Sequence, residues 1–145
     1  MATAAQIQAR YVGPPFEEAH VYDAMRVGVV TCRPETSLHD VARMMTSYQV
    51  HAVVVQEVGP GSRPWGIVSA LDIASAAGSD LSELSARDVA TSDLVTVSSD
   101  ESLTQAAKLM SQHGITHLVA VQRGTDWPCG VISAGGLAAV LAAAH

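Results

Sequence analysis

The chain has 145 residues, 48% of them hydrophobic and only 15% charged, which suits one ordinary domain or two very small ones sharing a core and argues against disorder. Acids outnumber bases 14 to 8, and the bases stand singly from Arg10 to Arg123, so the footprint of a nucleic-acid partner is missing. With aromatics at 4%, the core must come from Ala, Val, Leu, Ile and Met, and so few charges leave apolar surface for a second copy of the chain.

Residues 1–20 read as an N-terminal arm, with helical character over Ala2–Tyr11 and a break at Pro14-Pro15. MATAAQIQARYVGPP has neither the cationic start nor the apolar stretch of a signal peptide, and the longest apolar run, Leu137–Ala144, is far short of a bilayer span. The expectation is a cytoplasmic chain with no membrane partner. Cys32 and Cys129 are too few for a disulfide framework and read as small buried residues.

Val29–Cys32 is a short β-branched run and reads as a strand. Ser37 then opens a helix, because Leu38, Val41, Ala42, Met45 and Tyr48 recur at helical spacing, and Ser37 with Asp40 has the form of a capping box. His51–Gln56 reads as a second strand, too continuously apolar to be half exposed. A turn over Gly59–Pro64 leads to a third strand, Trp65–Val68, and a second helix follows from Ala70 to about Ala77. The segment Gly78–Ser85 links this unit to the next, with Ser85 and Asp88 set to cap a short helical turn.

The same order then recurs. VVTCRPETSL (Val29–Leu38) lies over LVTVSSDESL (Leu94–Leu103), and Ala42 and Met45 match Ala107 and Met110. VHAVVVQ (Val50–Gln56) lies over THLVAVQ (Thr116–Gln122), which aligns His51 with His117 after a one-residue shift. PWGIVSALD (Pro64–Asp72) lies over PCGVISAGG (Pro128–Gly136), and Ser102 with Gln105 repeats the capping pattern. These blocks identify a duplicated β-α-β-β-α unit, with repeats over 21–78 and 79–145. One copy alone cannot bury both helices and a sheet.

This pattern resembles a tandem pair of cystathionine-β-synthase (CBS) domains, a Bateman module, over roughly residues 20–144. The Val-Thr-x-x-Pro-x-Thr-Ser-Leu opening, the apolar second strand and Gly66-Ile67-Val68-Ser69-Ala70-Leu71-Asp72 carry the resemblance. The last is similar to the family's Gly-φ-φ-Ser/Thr-x-x-Asp nucleotide motif. The resemblance implies an α/β (α+β) fold of two repeats about a pseudo-twofold, with clefts between them and frequent homodimers. It also implies an adenosine-containing regulatory ligand such as AMP, ADP, ATP, S-adenosylmethionine or a dinucleotide. The ligand would lie against Ser69 and Asp72, with Val95, Thr96, Thr116, His117 and Leu118 from the second copy. The shortage of positive charge favours AMP among these, although Arg26 and Arg87 before the first strands could alter that balance. A regulated partner protein is implied but not named.

The residues by themselves allow two readings of the motif. Ser69 at a strand-to-helix junction offers a hydroxyl and free N–H groups to a phosphate, and Asp72 offers a carboxylate to ribose hydroxyls. Ser69-x-x-Asp72 is equally a capping box that needs no ligand. In the second copy Gly136 stands where the carboxylate would be, so the equivalent cleft, with Thr31, His51 and Ser133, is expected to be empty or differently occupied. Six histidines appear without a His-x-x-x-His or Cys-x-x-Cys pair, so no metal site is expected. Met44, Met45 and Met110 read as helix core, and Trp65 and Trp127 fit packing better than base stacking. No nucleophile stands beside a base, the lone lysine is Lys108, and no P-loop is present, so no catalytic residue is assigned. A ligand-free structural or interaction module remains the alternative to a nucleotide sensor.

Overall fold

The structure is a computed structural model and describes residues 11–59, 62–91 and 94–143. The helical reading of Ala2–Tyr11 falls, but for Tyr11, outside the described residues. The chain divides into two compact units, Val29–Leu94 on one side and the segments up to Gly28 and from Val95 onward on the other. Together the described residues hold two sheets and six helices in a mixed α/β arrangement.

In the unit Val29–Leu94, β2 (Thr31–Cys32) runs parallel to β3 (Ala52–Gln56), and β4 (Pro64–Ser69) runs antiparallel to β3 on its other edge. The central place of β3 explains its sequence, since Ala52 to Val55 are all buried. The helix α2 (Leu38–Tyr48) lies between β2 and β3 in the chain and turns Leu38, Val41 and Met45 into the core with Val53, Val55 and Val68. Ser37 caps it by accepting the Asp40 N–H at 3.1 Å, without the reciprocal bond of a capping box. Six-residue α3 (Ala70–Ser75) follows β4 and buries no residue fully.

The other unit repeats this plan. β5 (Thr96–Ser98) is parallel to β6 (His117–Val121), which is antiparallel to β7 (Pro128–Ser133). The helix α5 (Leu103–His113) buries Leu103, Ala106 and Met110, and Ser102 caps it through the Gln105 N–H alone. The closing helix α6 (Ala134–Ala143) buries Leu137 and Val140.

Each unit is completed by a short segment from the opposite copy. The helix α1 (Val21–Ala24) and β1 (Arg26–Val27) open the first copy yet join the second copy's sheet, with Arg26 opposite Val131 and Val27 opposite Gly130. In the unit Val29–Leu94 the matching piece is α4 (Ala86–Val89), followed by a bridge between Thr91 and Ile67. Both segments pass so close to a strand that only glycine fits beneath them. A Cβ on Gly66 would lie 2.8 Å from the Thr91 carbonyl oxygen, and one on Gly130 would lie 2.5 Å from that of Arg26.

The registers correct one alignment. Thr31 pairs with Val54 and Thr96 with Val119, so His51 corresponds to Thr116, and His117 corresponds to Ala52. The one-residue difference between the copies falls in the turn after the second strand, not within it. Two packing expectations also change. Trp127 is 67% exposed, and Cys129 is only partly buried, with its thiol facing the Ala120 carbonyl at 3.5 Å.

Candidate functional site

Four of the residues singled out from the sequence lie in the unit Val29–Leu94: Thr31, His51, Ser69 and Asp72. Ser69 is the last residue of β4 and the N-cap of α3, with extended backbone at φ −96° and ψ 165°. Its N–H donates to Asp72 Oδ2 at 2.8 Å, its hydroxyl donates to the same oxygen at 3.0 Å, and it accepts the Asp72 N–H at 3.2 Å. The capping box is therefore fully formed, and one carboxylate oxygen takes both bonds from the serine. The opening of α3 is tied to the sheet by the Ala70 N–H, which donates to the His51 carbonyl at 2.8 Å. Thus His51 stands in the same unit as Ser69 and Asp72, beside the start of their helix. Thr31 is exposed on β2.

The remaining candidates lie in the other unit. Thr96 is exposed on β5, and Val95 just before it is partly buried. Thr116 Oγ1 and His117 Nδ1 lie 3.0 Å apart, and the Thr116 carbonyl accepts the Ala134 N–H at 2.8 Å, as His51 does for Ala70. His117 is paired in register with Ser133. Leu118 is fully buried in the core of its own unit, so its side chain has no face to offer a ligand. Ser133 keeps half of the cap, accepting the Gly136 N–H at 2.9 Å, and the carboxylate half is missing because residue 136 has no side chain.

The same physical chemistry recurs where no ligand is implied. Ser85 and Asp88 form a capping box on four-residue α4, with the Ser85 N–H donating to Asp88 Oδ2 at 2.8 Å. His20 and Asp23 do so on α1, with the His20 N–H on Asp23 Oδ2 at 2.8 Å. A Ser-x-x-Asp cap is thus a local device that this chain uses more than once. Arg87 is occupied: its guanidinium lies 5.7 Å over the Trp65 ring and within 3.7 Å of the Glu35 and Glu57 carboxylates. Burial pushes the Cys32 thiol up to about 11, so it stays a protonated, inert core group. Among the described residues no three His, Cys, Asp or Glu side chains gather as metal ligands, and no helix is long and apolar enough to cross a membrane.

Comparison with known proteins decides the family. The CBS domain family matches twice, at residues 21–79 and 86–143. The chain belongs to the CBS domain family. Both matches coincide with the two copies, and solved CBS domain pairs share the fold. The CBS domain pair of protein MJ0100, in complex with 5′-methylthioadenosine and S-adenosyl-L-methionine, is 18% identical with a TM-score of 0.74, covering 86% of this chain and 96% of that one. A hexameric CBS-CP12 protein from bloom-forming cyanobacteria is 23% identical with a TM-score of 0.74, covering 83% of this chain and 66% of that one. Hypoxic Response Protein I, solved with two coordinated zinc ions, is 20% identical with a TM-score of 0.63 over 83% and 97% of the chains. A curated homoserine O-acetyltransferase from Methanocorpusculum labreanum is 31% identical over 102 residues, which is 70% of this chain and 20% of that enzyme. The chain therefore spans about a fifth of that relative.

The sequence also left out what Gly66 does. Read as part of a ligand motif, it is required by the close passage of Thr91, and the signal that could have revealed this is the matching glycine at 130.

Proposed function

We propose that this CBS pair is a regulatory module that binds an adenosine-containing ligand at Ser69 and Asp72. Val95, Thr96, Thr116, His117 and Leu118 would complete the site, as the resemblance assigns them, Leu118 through its backbone because its side chain is buried. The observation that supports the reading is the copy of the motif that is intact at β4 and α3, with its carboxylate held in place at the helix start. A carboxylate fixed through one oxygen by its own serine is preorganised to accept hydroxyl donors at the other. AMP fits better than ATP, because positive charge is scarce and Arg87, just before the second copy's first strand, is engaged by two carboxylates and a tryptophan ring. ADP and S-adenosylmethionine are the next choices, the latter because the MJ0100 pair holds it. The second position, with Thr31, His51 and Ser133, lacks the carboxylate and would bind weakly or another ligand. The module would act as a cytoplasmic homodimer without enzymatic activity of its own, reporting ligand state to a partner protein.

A second reading has its own support, since Ser85 and Asp88 show the same cap with no ligand implied. On that reading the protein is a ligand-free interaction or dimerisation module that kept the CBS fold. A thermal-shift screen with AMP, ADP, ATP, S-adenosylmethionine and NAD separates the two. A ligand at about 100 times its Kd adds about 2.7 kcal/mol to the folded state. The sensor reading predicts a shift in wild type that disappears in Asp72→Ala. The interaction reading predicts no shift with any of them, and an Asp72→Ala penalty of about 0.5–2 kcal/mol that nucleotide does not change.

A further inference from the structure

The segment Ser85–Thr91 runs from the loop after β2, which holds its start, to β4, where Thr91 pairs on the edge opposite β3. The Ala86 N–H donates to the Thr36 carbonyl at 2.8 Å and the Arg87 N–H to that of Pro34 at 3.0 Å, with the Ala86 side chain fully buried. Thr91 and Ile67 exchange both backbone hydrogen bonds, at 3.0 and 3.2 Å. β4 is thus paired on both edges: by β3 along its length, with Ala52 opposite Ser69, and by Thr91 at Ile67, on the same short strand just before Ser69. The seat admits no side chain at Gly66, where a Cβ would meet the Thr91 oxygen at 2.8 Å and the Ala90 Cβ at 3.3 Å.

The helix after β4 is weakly anchored. α3 buries no residue fully, and Ile73 and Ala76 pack only partly against the core, so the direction of the helix depends on the strand end and the Ser69–Asp72 cap. The corresponding helix of the other unit, α6, is fixed independently by Leu137 and Val140. Beyond Thr91 the chain runs on to Val95 and Thr96, the first residues assigned to the same ligand from the second copy.

We propose that Ser85–Thr91 is a strap that positions the Ser69–Asp72 end of β4: displacing it loosens the cap, and a ligand held at the cap tightens the strap. The first half concerns the protein without ligand. The second half rests on the nucleotide reading, because coupling between two sites is reciprocal.

Amide hydrogen exchange on the full chain tests both halves, in wild type, Gly66→Ala, Thr91→Pro and Gly130→Ala. Thr91→Pro deletes the N–H that bonds Ile67 and sets the ring Cδ against that carbonyl, which pushes Thr91 off β4 without adding a side chain at Gly66, and Ala90 already has the extended backbone that precedes proline, φ −62° and ψ 140°. It carries the test should Gly66→Ala fail to fold. With the strap displaced, the Ile67, Ala70 and Asp72 amides should exchange about tenfold or more faster, the range open to local unfolding. In Gly130→Ala the Ala134 and Gly136 amides should change far less, because α6 has its own anchors. Faster exchange at Ile67 with Asp72 unchanged would overturn the strap, and so would unchanged Ile67 in both β4 variants. AMP added to wild type should slow exchange at Asp72 and Ile67 together. Slowing at Asp72 alone would overturn the coupling, whereas no effect at either, with the variants behaving as expected, would sink the nucleotide reading and leave the strap standing.

Discussion

Asp72 and Asp88 each close a cap on the serine three residues before them, at the same 2.8 Å from its N–H. Their local chemistry is similar, although the Ser69 hydroxyl stands 3.0 Å from its carboxylate in a part-buried place and that of Ser85 3.2 Å in an exposed one. Ser102→Ala, which removes the cap of α5, is expected to cost about 0.5–2 kcal/mol in denaturant unfolding, unaltered by nucleotide, as a reference for Asp72→Ala. Cys32 gives a second residue-scale prediction. Its thiol is buried and its pKa rises from 9.0 to about 11, so the native state holds the proton more tightly than the unfolded chain. Stability tied to this group is complete below pH 9 and is lost as pH rises through about 11. At pH 8 a disulfide exchange reagent should label one thiol quickly in the native protein, Cys129, and Cys32 only on unfolding. Equal labelling rates would show that Cys32 is not the core group described.

At the scale of elements, α3 and α6 open after equivalent serines, but only α3 has an aspartate three residues on to complete the cap. Gly136 keeps an ordinary φ, and a Cβ there would meet its neighbours no closer than 3.4 Å, so nothing in the backbone requires glycine. Gly136→Asp is expected to complete the cap and to raise stability by about 1 kcal/mol, a Tm increase of roughly 3 °C. A fall in Tm would show that the Ala24 carbonyl, 3.4 Å from the added Cβ, repels the carboxylate. Most elements were legible in the sequence. Helix spacing placed Leu38, Val41 and Met45 inward, the apolar run at 52–55 identified a central strand, and Ser69 was recognised as a strand end. The register of the second strands was not legible, because Val-rich runs align equally well one residue apart, and only the pairing of Thr31 with Val54 and Thr96 with Val119 fixes it. Burial of Leu118 was legible in the same apolar run, and it was the resemblance that set this residue against a ligand.

At the scale of the molecule, the compact units do not follow the order of the copies, because α1 with β1, and α4, each complete the sheet built by the opposite copy. Sequence repetition reveals that there are two units, but not that their opening segments are exchanged, which depends on pairings far apart in the chain. A fragment of residues 21–79 would lack the strap that covers β4 and would leave α1 without its sheet. It should give a poorly dispersed amide spectrum alone and regain dispersion on mixing with 80–145. A well-folded, monomeric fragment would show that the exchange is dispensable.

The central claim, an adenosine-type ligand at Ser69 and Asp72, is tested most directly by titrating AMP into the isotope-labelled full chain and following the amide spectrum. The account predicts saturable shifts at Ala70 and Asp72 in α3, with Gln105 at the start of α5 unmoved. Shifts confined to α6, or none at millimolar AMP and S-adenosylmethionine, would contradict it.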